Sequence, residues 1–313
     1  MRKMKIRNFV VAAALALAAP SWVSAQETTG GDDIVVTGTR LQEIVRDFVG
    51  EVSVAPGSEN QLARWDRRIC PGIIGLQNAQ QAQYLVDRIA QRAQLVGIEA
   101  ERPGCRANVV VFVTPDSDRI AREIGQEYRQ LVAYHSAANA VTQGQGELTR
   151  FMETSRPVRW WHVSQTVTAD GQVLGESNAR PTASGGFAGV EVVRQPDAGR
   201  LRRSTRQDFS RVIIIVDATR AAGVQFSTLA DYVAMAALAQ IAPDADTSAA
   251  PTILSLFSDR EAGRTPPAAL TDWDVAYLTG LYEAPRAARN SQAQEGAIAR
   301  TMSEELTTAP ANP

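Results

Sequence analysis

The sequence predicts an α+β fold in which a mixed β-sheet is packed with helices. Residues 108–113 (NVVVFV) and 209–216 (FSRVIIIV) are almost wholly apolar, a pattern typical of strands that are buried on both faces. Residues 158–168 form a third strand-like segment, and Asp170-Gly171 after it is a hairpin-turn signal. Because helical patterns follow both apolar strands while the third strand belongs to a hairpin, the sheet should combine parallel and antiparallel strands.

Two helices are predicted around the first buried strand. In residues 78–96 apolar side chains recur at helical spacing, and Gly97 follows in the C-cap role. A second helical pattern at 114–135 begins with a Thr-Pro pair and carries an apolar stripe that continues to His135. A lone histidine on such a stripe is more often a core or boundary residue than a ligand.

Two further helices are predicted after the second buried strand. Residues 228–241 begin with Thr228 and Asp231, which have the spacing of a capping box. This helix is apolar almost all round, so it should lie in the core. The other helix begins in the same way, with Thr271 and Asp274.

Length and charge limit the classes of function. The chain has 313 residues with 32 basic and 34 acidic side chains, and four of the basic ones lie in the amino-terminal signal described next, which leaves 28. A mildly acidic chain argues against nucleic acid as the partner. The expected organisation is a signal peptide at 1–25, a segment with a short strand and a linker at 26–60, a main α+β domain at 61–284 and a tail at 285–313.

The amino terminus has the features of a secretory signal peptide. Four basic residues, Arg2, Lys3, Lys5 and Arg7, precede an apolar stretch at 9–19, which is too short to span a bilayer. Val23-Ser24-Ala25 predicts cleavage between Ala25 and Gln26. No cysteine lies at the cut, which argues against a lipoprotein, and no later run approaches the roughly 20 apolar residues of a membrane helix. The mature chain should be exported, to the periplasm or beyond, without a membrane span.

Two cysteines, Cys70 and Cys105, are present, both after the predicted cleavage site. In an oxidising compartment an even number of cysteines favours a disulfide bond. The alternative is a nucleophilic thiol, but neither cysteine has a histidine close to it in the sequence. We therefore expect the two residues to form a bridge.

Residues 33–40 (DIVVTGTR) resemble the opening of the plug domain in TonB-dependent outer-membrane receptors. That resemblance implies an outer-membrane or envelope protein as partner. Nothing downstream has the long alternating strands of such a barrel. The interpretation that the short match favours is a single β-branched strand that ends at Gly38.

Residues 226–282 resemble, in order, the second half of a zincin metalloprotease domain. In zincins one helix carries H-E-x-x-H, which supplies two zinc ligands and a general base. When Leu238 is aligned with the first leucine of that helix's usual ending, Tyr232 and Ala236 stand at the histidine positions and Val233 stands at the glutamate position. None of the three can replace the zincin residue, because alanine cannot bind a metal ion and valine cannot move a proton.

The remaining zincin-like segments lie downstream of that helix. Residues 252–257 (TILSLF) resemble the Ser-Ile-Met turn, and residues 270–282 resemble the last helix, with its Leu-Ser/Thr-x-x-Asp start and Leu-Tyr end. The resemblance covers about a fifth of the chain. It implies a degenerate zincin-like domain that holds no zinc.

Trp160, Trp161 and His162 are the most ligand-like group in the middle of the chain. Alternation along a strand places Trp160 and His162 on one face and Trp161 on the other. One histidine without a partner is a poor zinc site, since zinc takes three or four protein ligands. Residues 64–68 (RWDRR) leave two interpretations open, an anion-binding cluster or a solvated face with its tryptophan packed inward.

Asp272 and Asp274 are a candidate carboxylate pair for acid–base catalysis. The favoured interpretation is helix capping, because acidic residues in a first helical turn complement the helix dipole. The sequence has no G-x-S-x-G nucleophile elbow, and its two histidines leave little choice for a catalytic triad. It therefore predicts no catalytic residue, no metal site and no cofactor.

Three functions remain open on this basis. The leading hypothesis is an exported, non-catalytic protein of the envelope or the medium, with a zincin-like domain in a binding or structural role. The second is a periplasmic hydrolase that uses a carboxylate pair or His162. The third, suggested only by residues 33–40, is an accessory protein of a TonB-dependent receptor.

Overall fold

The structure is a computed structural model that describes residues 32–57, 59–133, 140–173, 180–181, 187–188 and 202–308. Its strands are β1 Pro71–Ile74, β2 Val109–Thr114, β3 Ala140–Val141, β4 Val158–Thr168, β5 Arg180–Pro181, β6 Phe187–Ala188 and β7 Thr205–Asp217. Its helices are α1 Asp32–Val52, α2 Ala79–Leu95, α3 Ser117–Glu127, α4 Gln145–Glu153, α5 Phe226–Leu238, α6 Leu256–Glu261, α7 Asp272–Glu283 and α8 Ser291–Thr308. A 3-10 turn, Ile253–Ser255, leads into α6.

A five-stranded sheet with the order β1-β2-β7-β4-β3 forms the middle of the fold. β1, β2 and β7 run parallel to one another, and β4 is antiparallel both to β7 and to β3. β5 and β6 form a separate antiparallel pair. The sheet is therefore mixed, and with helices packed on it the predicted α+β class is confirmed.

The two faces of the sheet are covered by different helices, because side chains alternate along each strand. On β7, Val212, Ile214 and Val216 belong to the larger core, which also includes side chains of α1, α2, α5, α7 and α8. Ile213 and Ile215 belong to a smaller core with α3 and α4. The apolar run in β7 is thus buried on both sides, as predicted.

α5 is the central helix of the larger core, and all of its residues from Ala230 to Leu238 are buried. Val233 and Ala236 have no exposed surface. Tyr232 packs between the rings of Trp160 and Phe257, at centroid distances of 6.2 and 5.2 Å. The residues at the zincin ligand and base positions are therefore packing residues.

The amino-terminal segment is helical, so the short strand predicted within residues 33–40 and ending at Gly38 is wrong. These residues form the first turns of α1. Val45, Phe48 and Val52, further along the helix, are buried in the larger core at helical spacing. Their packing stabilises the helix, and each residue added to the helix gains one hydrogen bond. Together these effects override the preference of the β-branched residues for a strand.

The predicted carboxyl-terminal tail contains α8, which packs into the larger core through Ile298 and Met302. Its contact with α7 is close at Gly280, where a β-carbon would lie 2.9 Å from the carbonyl oxygen of Ile298. A residue larger than glycine would push the two helices apart at this point. Residues 309–313 lie outside the described part of the chain.

Of the two helices predicted around the first buried strand, one ends as predicted and the other is shorter. α2 ends as expected, with Gly97 following at a φ of 75°. α3 is shorter than predicted: it ends at Glu127, and the next residue, Tyr128, is half exposed. His135 lies outside the described residues.

The start of α5 also corrects the sequence prediction. The helix begins at Phe226 with Gln225 as its N-cap residue. Thr228 and Asp231 therefore lie inside the helix and do not form a capping box. The Thr228 hydroxyl instead donates a hydrogen bond of 2.5 Å to the carbonyl of Ala268.

Asp231 links α5 to α2 through a buried ion cluster. Its fully buried carboxylate accepts two hydrogen bonds from Arg88 and two from Arg92, at 2.7 to 3.0 Å, and one from the Leu270 N–H. Burial by itself would raise the pKa of Asp231, but the hydrogen bonds from Arg92 and Arg88 overcome that effect and hold the pKa below its ordinary value. The carboxylate is thus charged and shared by two guanidinium groups.

The predicted disulfide bond between Cys70 and Cys105 is confirmed. It joins the residue before β1 to the loop before β2, with α2 in the connection between them. No helix in the described ranges is long and apolar enough to cross a membrane. The predicted signal peptide and its cleavage between Ala25 and Gln26 lie outside those ranges.

We expect Asp231→Asn to lower the free energy of unfolding by about 2–3 kcal/mol, because two largely buried guanidinium groups lose their shared counter-ion. Urea denaturation at pH 7 measures the change. The matched control is Asp87→Asn on α2, since Asp87 is exposed and, within the described ranges, bonds only to Gln83 one turn earlier. That change should stay within about 0.5 kcal/mol, and equal effects of the two substitutions would contradict the assignment.

Replacing Cys70 and Cys105 together by serine should lower the free energy of unfolding by about 3–4 kcal/mol, because the bridge restricts a loop of 35 residues in the unfolded chain. Urea denaturation with and without dithiothreitol measures the loss. The reductant should destabilise the wild-type protein by the same amount and leave the double variant unchanged. A wild-type protein that is insensitive to reduction would refute the prediction.

Candidate functional site

The carboxyl-terminal end of α5 lies inside the protein, where water does not reach its last carbonyl groups. Those carbonyls have no partner within the helix. Side chains from distant parts of the chain donate hydrogen bonds to three consecutive carbonyl oxygens. His162 Nε2 donates to Ala236 (2.8 Å), Trp65 Nε1 to Ala237 (2.8 Å) and the Tyr282 hydroxyl to Leu238 (2.9 Å). Trp160 Nε1 bonds to the carbonyl of Ile241 just beyond, at 3.0 Å. We call Trp65, Trp160, His162 and Tyr282 the aromatic collar.

His162 is a neutral hydrogen-bond donor in this collar. Its partner is a carbonyl oxygen, which can only accept, so Nε2 must carry the hydrogen. The ring stacks on Phe209 at a centroid distance of 5.1 Å. Burial lowers the pKa of His162 to about 4, although the Ala236 and Ala239 carbonyls favour the charged form. The ring therefore holds the end of α5 in its uncharged state at neutral pH.

The three ligand candidates from the sequence line one cavity of about 200 Å³. As alternation predicted, they lie on both faces of β4. Trp160 and His162 bond to the α5 end, whereas Trp161 belongs to the smaller core, where its Nε1 donates to the carbonyl of Val132 at 3.2 Å. The ring of Trp161 also contacts Phe151 of α4, at a centroid distance of 5.9 Å.

This cavity, which we call the edge cavity, lies beside one edge of β4. β3 pairs with β4 only at Ser164 and Gln165, and the chain then turns at Gly144, with a φ of 88°, into α4. Residues 158–162, the inner side of α4 and residues 240–244 form the walls. Residues 240–242 are held in place by pairing with the end of α1, where the Ala242 N–H donates to the Val52 carbonyl at 2.9 Å.

Gln240 is the exceptional residue of the edge cavity. Its side chain is 4% exposed, and within the described part of the chain neither atom of its amide group has a hydrogen-bond partner. An unpaired buried amide costs about 1–3 kcal/mol. Nε of Arg159, which also lines the cavity, is likewise buried and unpartnered among the described residues. Because buried polar groups in native proteins are hydrogen-bonded as a rule, these atoms need a partner such as a water molecule or a ligand.

Charged side chains around the edge cavity are paired with one another. The ion pairs are Arg156 with Asp244, Arg150 with Glu147 and Arg159 with Asp118. Arg156 also donates to the carbonyl of Pro243, at 2.5 Å. With its charges balanced, the cavity is suited to an uncharged group.

Asp272 and Asp274 do not line the edge cavity. Asp274 is buried and, with Thr271, forms the predicted capping box of α7. It also accepts hydrogen bonds from the Thr252 hydroxyl and the Ile253 N–H, and burial raises its pKa. Asp272 is exposed, so it is Asp274 that caps α7 and joins it to the turn before α6.

Residues 64–68 have structural roles. Trp65 is packed inward, as one interpretation predicted, but Arg64 is buried rather than solvated. Its guanidinium donates to the carbonyls of Leu281 and Ala284 at the end of α7. Burial, with a smaller contribution from Arg286, lowers the pKa of Arg64 to about 10. Two adjacent residues thus cap two buried helix ends.

The sequence did not identify Gln240, Trp65 or Tyr282 as residues of this site. Their roles depend on hydrogen bonds or walls contributed by distant segments, such as the 172 residues that separate Trp65 from Ala237. The one local signal was a polar residue shortly after a helix that is apolar almost all round. Among the described residues, no group of three or more His, Cys, Asp or Glu side chains is placed to hold a metal ion.

Comparisons with protein-family models, with curated proteins and with solved structures found no match to this chain. The interpretation of the site therefore rests on its own geometry. The zincin resemblance of residues 226–282 stays a prediction. So does the resemblance of residues 33–40 to the plug of TonB-dependent receptors.

Lowering the pH from 7 to 4 should reduce the free energy of unfolding by about 3 kcal/mol through His162 alone. Its folded pKa of about 4 lies below the ordinary value of 6.5. Between these two values the unfolded chain binds a proton that the folded chain does not, so stability falls as the pH falls. One pH unit in this window is worth about 1.4 kcal/mol. Urea denaturation at pH 7, 6, 5 and 4 measures the effect.

The comparison protein for this experiment is His162→Gln, which keeps an N–H donor near the Ala236 carbonyl but does not titrate. Both proteins carry His135→Gln, so that His162 is the one histidine of the first protein and the second has none. The difference between the two pH profiles isolates His162. Parallel profiles would mean that His162 is not buried in its neutral form.

Proposed function

We propose that the protein is an exported, non-catalytic binding protein of the bacterial envelope or the extracellular medium, and that the edge cavity holds an apolar group of its ligand. The observation that carries the proposal is the buried amide of Gln240, unpartnered among the described residues, beside the tryptophans of β4. Descent from a zincin that lost its metal ligands is compatible with this function. The proposal does not depend on that descent.

The size of the edge cavity limits what it holds. A cavity of roughly 150 Å³ takes up benzene, whereas a drug-sized ligand fills about 300–1,000 Å³. A volume of about 200 Å³ therefore suits one aromatic ring or one branched aliphatic group. The Gln240 amide carries a donor and an acceptor that match another amide group, and because both atoms have almost no accessible surface, the side chain must turn toward the cavity to reach a ligand.

The surroundings favour binding over catalysis. Nε2 of His162 is bonded to the end of α5, so a hydrolase that used this nitrogen would have to uncap a buried helix. Asp274 is occupied by the capping box and by the turn before α6. The cations and carboxylates around the edge cavity neutralise one another. No group in this set is poised to move a proton on a bound ligand.

Export is supported by the signal-like residues 1–25. The Cys70–Cys105 bridge fits an oxidising compartment. An outer-membrane receptor as partner remains a prediction from residues 33–40. No contact of the described residues bears on it.

Phenylacetamide, which joins one aromatic ring to one amide, should bind to the mature, oxidised protein with a dissociation constant of roughly 1 mM, since ten heavy atoms at about 0.4 kcal/mol each give about 4 kcal/mol. Saturation-transfer NMR on the ligand measures the binding. Gln240→Leu should weaken it at least tenfold and also stabilise the protein, because an unpaired buried amide is removed. Equal affinity of the two proteins would exclude the edge cavity as the site.

A matched pair of variants on neighbouring residues tests the position of the site. Thr154 lines the edge cavity, whereas the exposed residue Glu153 does not line it. Thr154→Phe should obstruct the cavity and abolish binding of phenylacetamide, and Glu153→Phe should leave binding unchanged. The ligand should be recovered intact after prolonged incubation, and release of phenylacetate would overturn the non-catalytic assignment.

A further inference from the structure

Three arginines lie near one another at the end of the sheet where β1 and β2 begin. Arg67 precedes β1 by a few residues and Arg106 precedes β2. Arg211 lies on β7, beside the residue that pairs with the start of β2. None of the three lines the edge cavity. We call Arg67, Arg106 and Arg211 the arginine cluster.

Asn108 holds together the three segments that carry the arginine cluster. Its carbonyl accepts the Val212 N–H of β7 at 2.8 Å. Its side-chain amide accepts the Cys70 N–H at 2.7 Å and donates to the Arg68 carbonyl at 3.0 Å. The bridge from Cys70 to Cys105 adds a covalent link between the segments before β1 and β2. The backbone positions of the cluster are thus fixed by the fold.

The guanidinium groups of the arginine cluster keep free N–H groups at the surface. Arg67 and Arg106 are exposed, and Arg211 is half-buried. Arg67 uses Nη2 to donate to the Ser210 carbonyl at 2.8 Å, and Arg211 uses Nη1 to donate to two carbonyls just after α3, at 3.1 and 3.3 Å. The remaining guanidinium nitrogens of these two residues, and all of those of Arg106, bond to nothing in the described part of the chain.

No carboxylate among the described residues forms an ion pair with the arginine cluster. The acidic side chains nearby pair with other arginines: Asp66 with Arg206 and Arg286, Asp208 with Arg206, and Glu99 with Arg68. The charge of Arg67 also acts on Asp208, but the oxygens of that carboxylate bond to Arg206. The cluster therefore holds positive charge that these carboxylates do not neutralise.

The charges of the arginine cluster act on one another. Partial burial lowers the pKa of Arg211, and the charges of Arg106 and Arg67 lower it further. Like charges held close together are unfavourable for a folded chain. An anion bound between them would remove this repulsion.

Charge and geometry favour a phosphate group over a carboxylate as that anion. One carboxylate in this chain, that of Asp231, is already satisfied by two guanidinium groups, those of Arg88 and Arg92. A phosphate monoester carries about −1.5 to −2 charges at pH 7 and has three acceptor oxygens. Guanidinium groups bond to such oxygens in pairs. Three arginines from three segments therefore match the charge and the acceptors of a phosphate.

From this arrangement we infer that the arginine cluster binds a phosphate group, carried either by a soluble phosphorylated compound or by a lipid headgroup. The site goes beyond the proposed function, because it shares no residue with the edge cavity. It also gives Arg67 the anion-binding role that the sequence left open for residues 64–68.

The test is a titration of the mature, oxidised protein with inorganic phosphate at pH 7 in about 0.15 M sodium chloride. NMR of the arginine side-chain nitrogens measures binding, and the signals of Arg106 and Arg211 should shift until the site is saturated. Arg106→Gln should weaken binding by roughly fivefold or more, because hydrogen bonds to a charged group are lost. Since Arg106 bonds to nothing in the described chain, this variant should fold normally.

The matched control is Arg68→Gln. It removes the same charge from an exposed side chain next to Arg67, but Arg68 is paired with Glu99. Phosphate affinity should therefore change by less than about twofold. Acetate at the same ionic strength should bind at least about fivefold more weakly than phosphate, because it carries less charge and has fewer acceptor oxygens.

Sedimentation with phosphatidylcholine vesicles that contain phosphatidic acid distinguishes the two sources of the phosphate. Co-sedimentation that is reduced by Arg106→Gln and unchanged by Arg68→Gln would identify a lipid headgroup. Phosphate binding without co-sedimentation would identify a soluble compound. Both results support the site.

Three results would overturn the inference. The first is absence of phosphate binding, whatever the vesicles do. The second is equal weakening by Arg106→Gln and Arg68→Gln, which would show only a general attraction between charges. The third is acetate binding as tight as phosphate binding. Binding of phenylacetamide tests the edge cavity separately, so none of these results decides the proposed function.

Discussion

A helix that ends inside a protein core leaves carbonyl groups that must find donors there, and α5 ends in this way. Each carbonyl left bare would cost about 1–3 kcal/mol. The donors are aromatic side chains with one polar atom, which fill apolar space and still complete a hydrogen bond. They come from the chain before β1, from β4 and from α7. The aromatic collar thus joins segments that are far apart in sequence around the end of one helix.

The position of the edge cavity follows from the same constraint. Because Trp160 and His162 of β4 bond to the end of α5, residues 240–244 are brought alongside β4. Residues 240–242 also pair with the end of α1, which fixes their backbone and leaves the Gln240 side chain beside the cavity. In the collar, the ring N–H groups of Trp160 and His162 are already hydrogen-bonded to carbonyl oxygens of Ile241 and Ala236. What remains beside the cavity is the Gln240 side chain and walls that are mostly apolar.

Much of the fold was predictable because local patterns report burial. The apolar runs of β2 and β7, the largely apolar character of α5 and the capping box of Thr271 and Asp274 are properties of short segments, and each is confirmed. The predictions that failed, a strand at residues 33–40 and a capping box at Thr228 and Asp231, are also local patterns. Packing of α1 overrode the first, and the two arginines of α2 gave Asp231 another role.

By itself the sequence determined which segments are buried, that the sheet is mixed and which cysteines pair, because periodicity, turn signals and a pair of thiols act over short distances or leave one choice. It also placed Trp160, Trp161 and His162 on a strand of interest. The tertiary structure decided what those residues do. The buried carbonyls at the end of α5 and the walls of the edge cavity come together only after distant segments have packed. The function of His162, and the lack of a partner for the Gln240 amide among the described residues, are therefore properties of the folded chain.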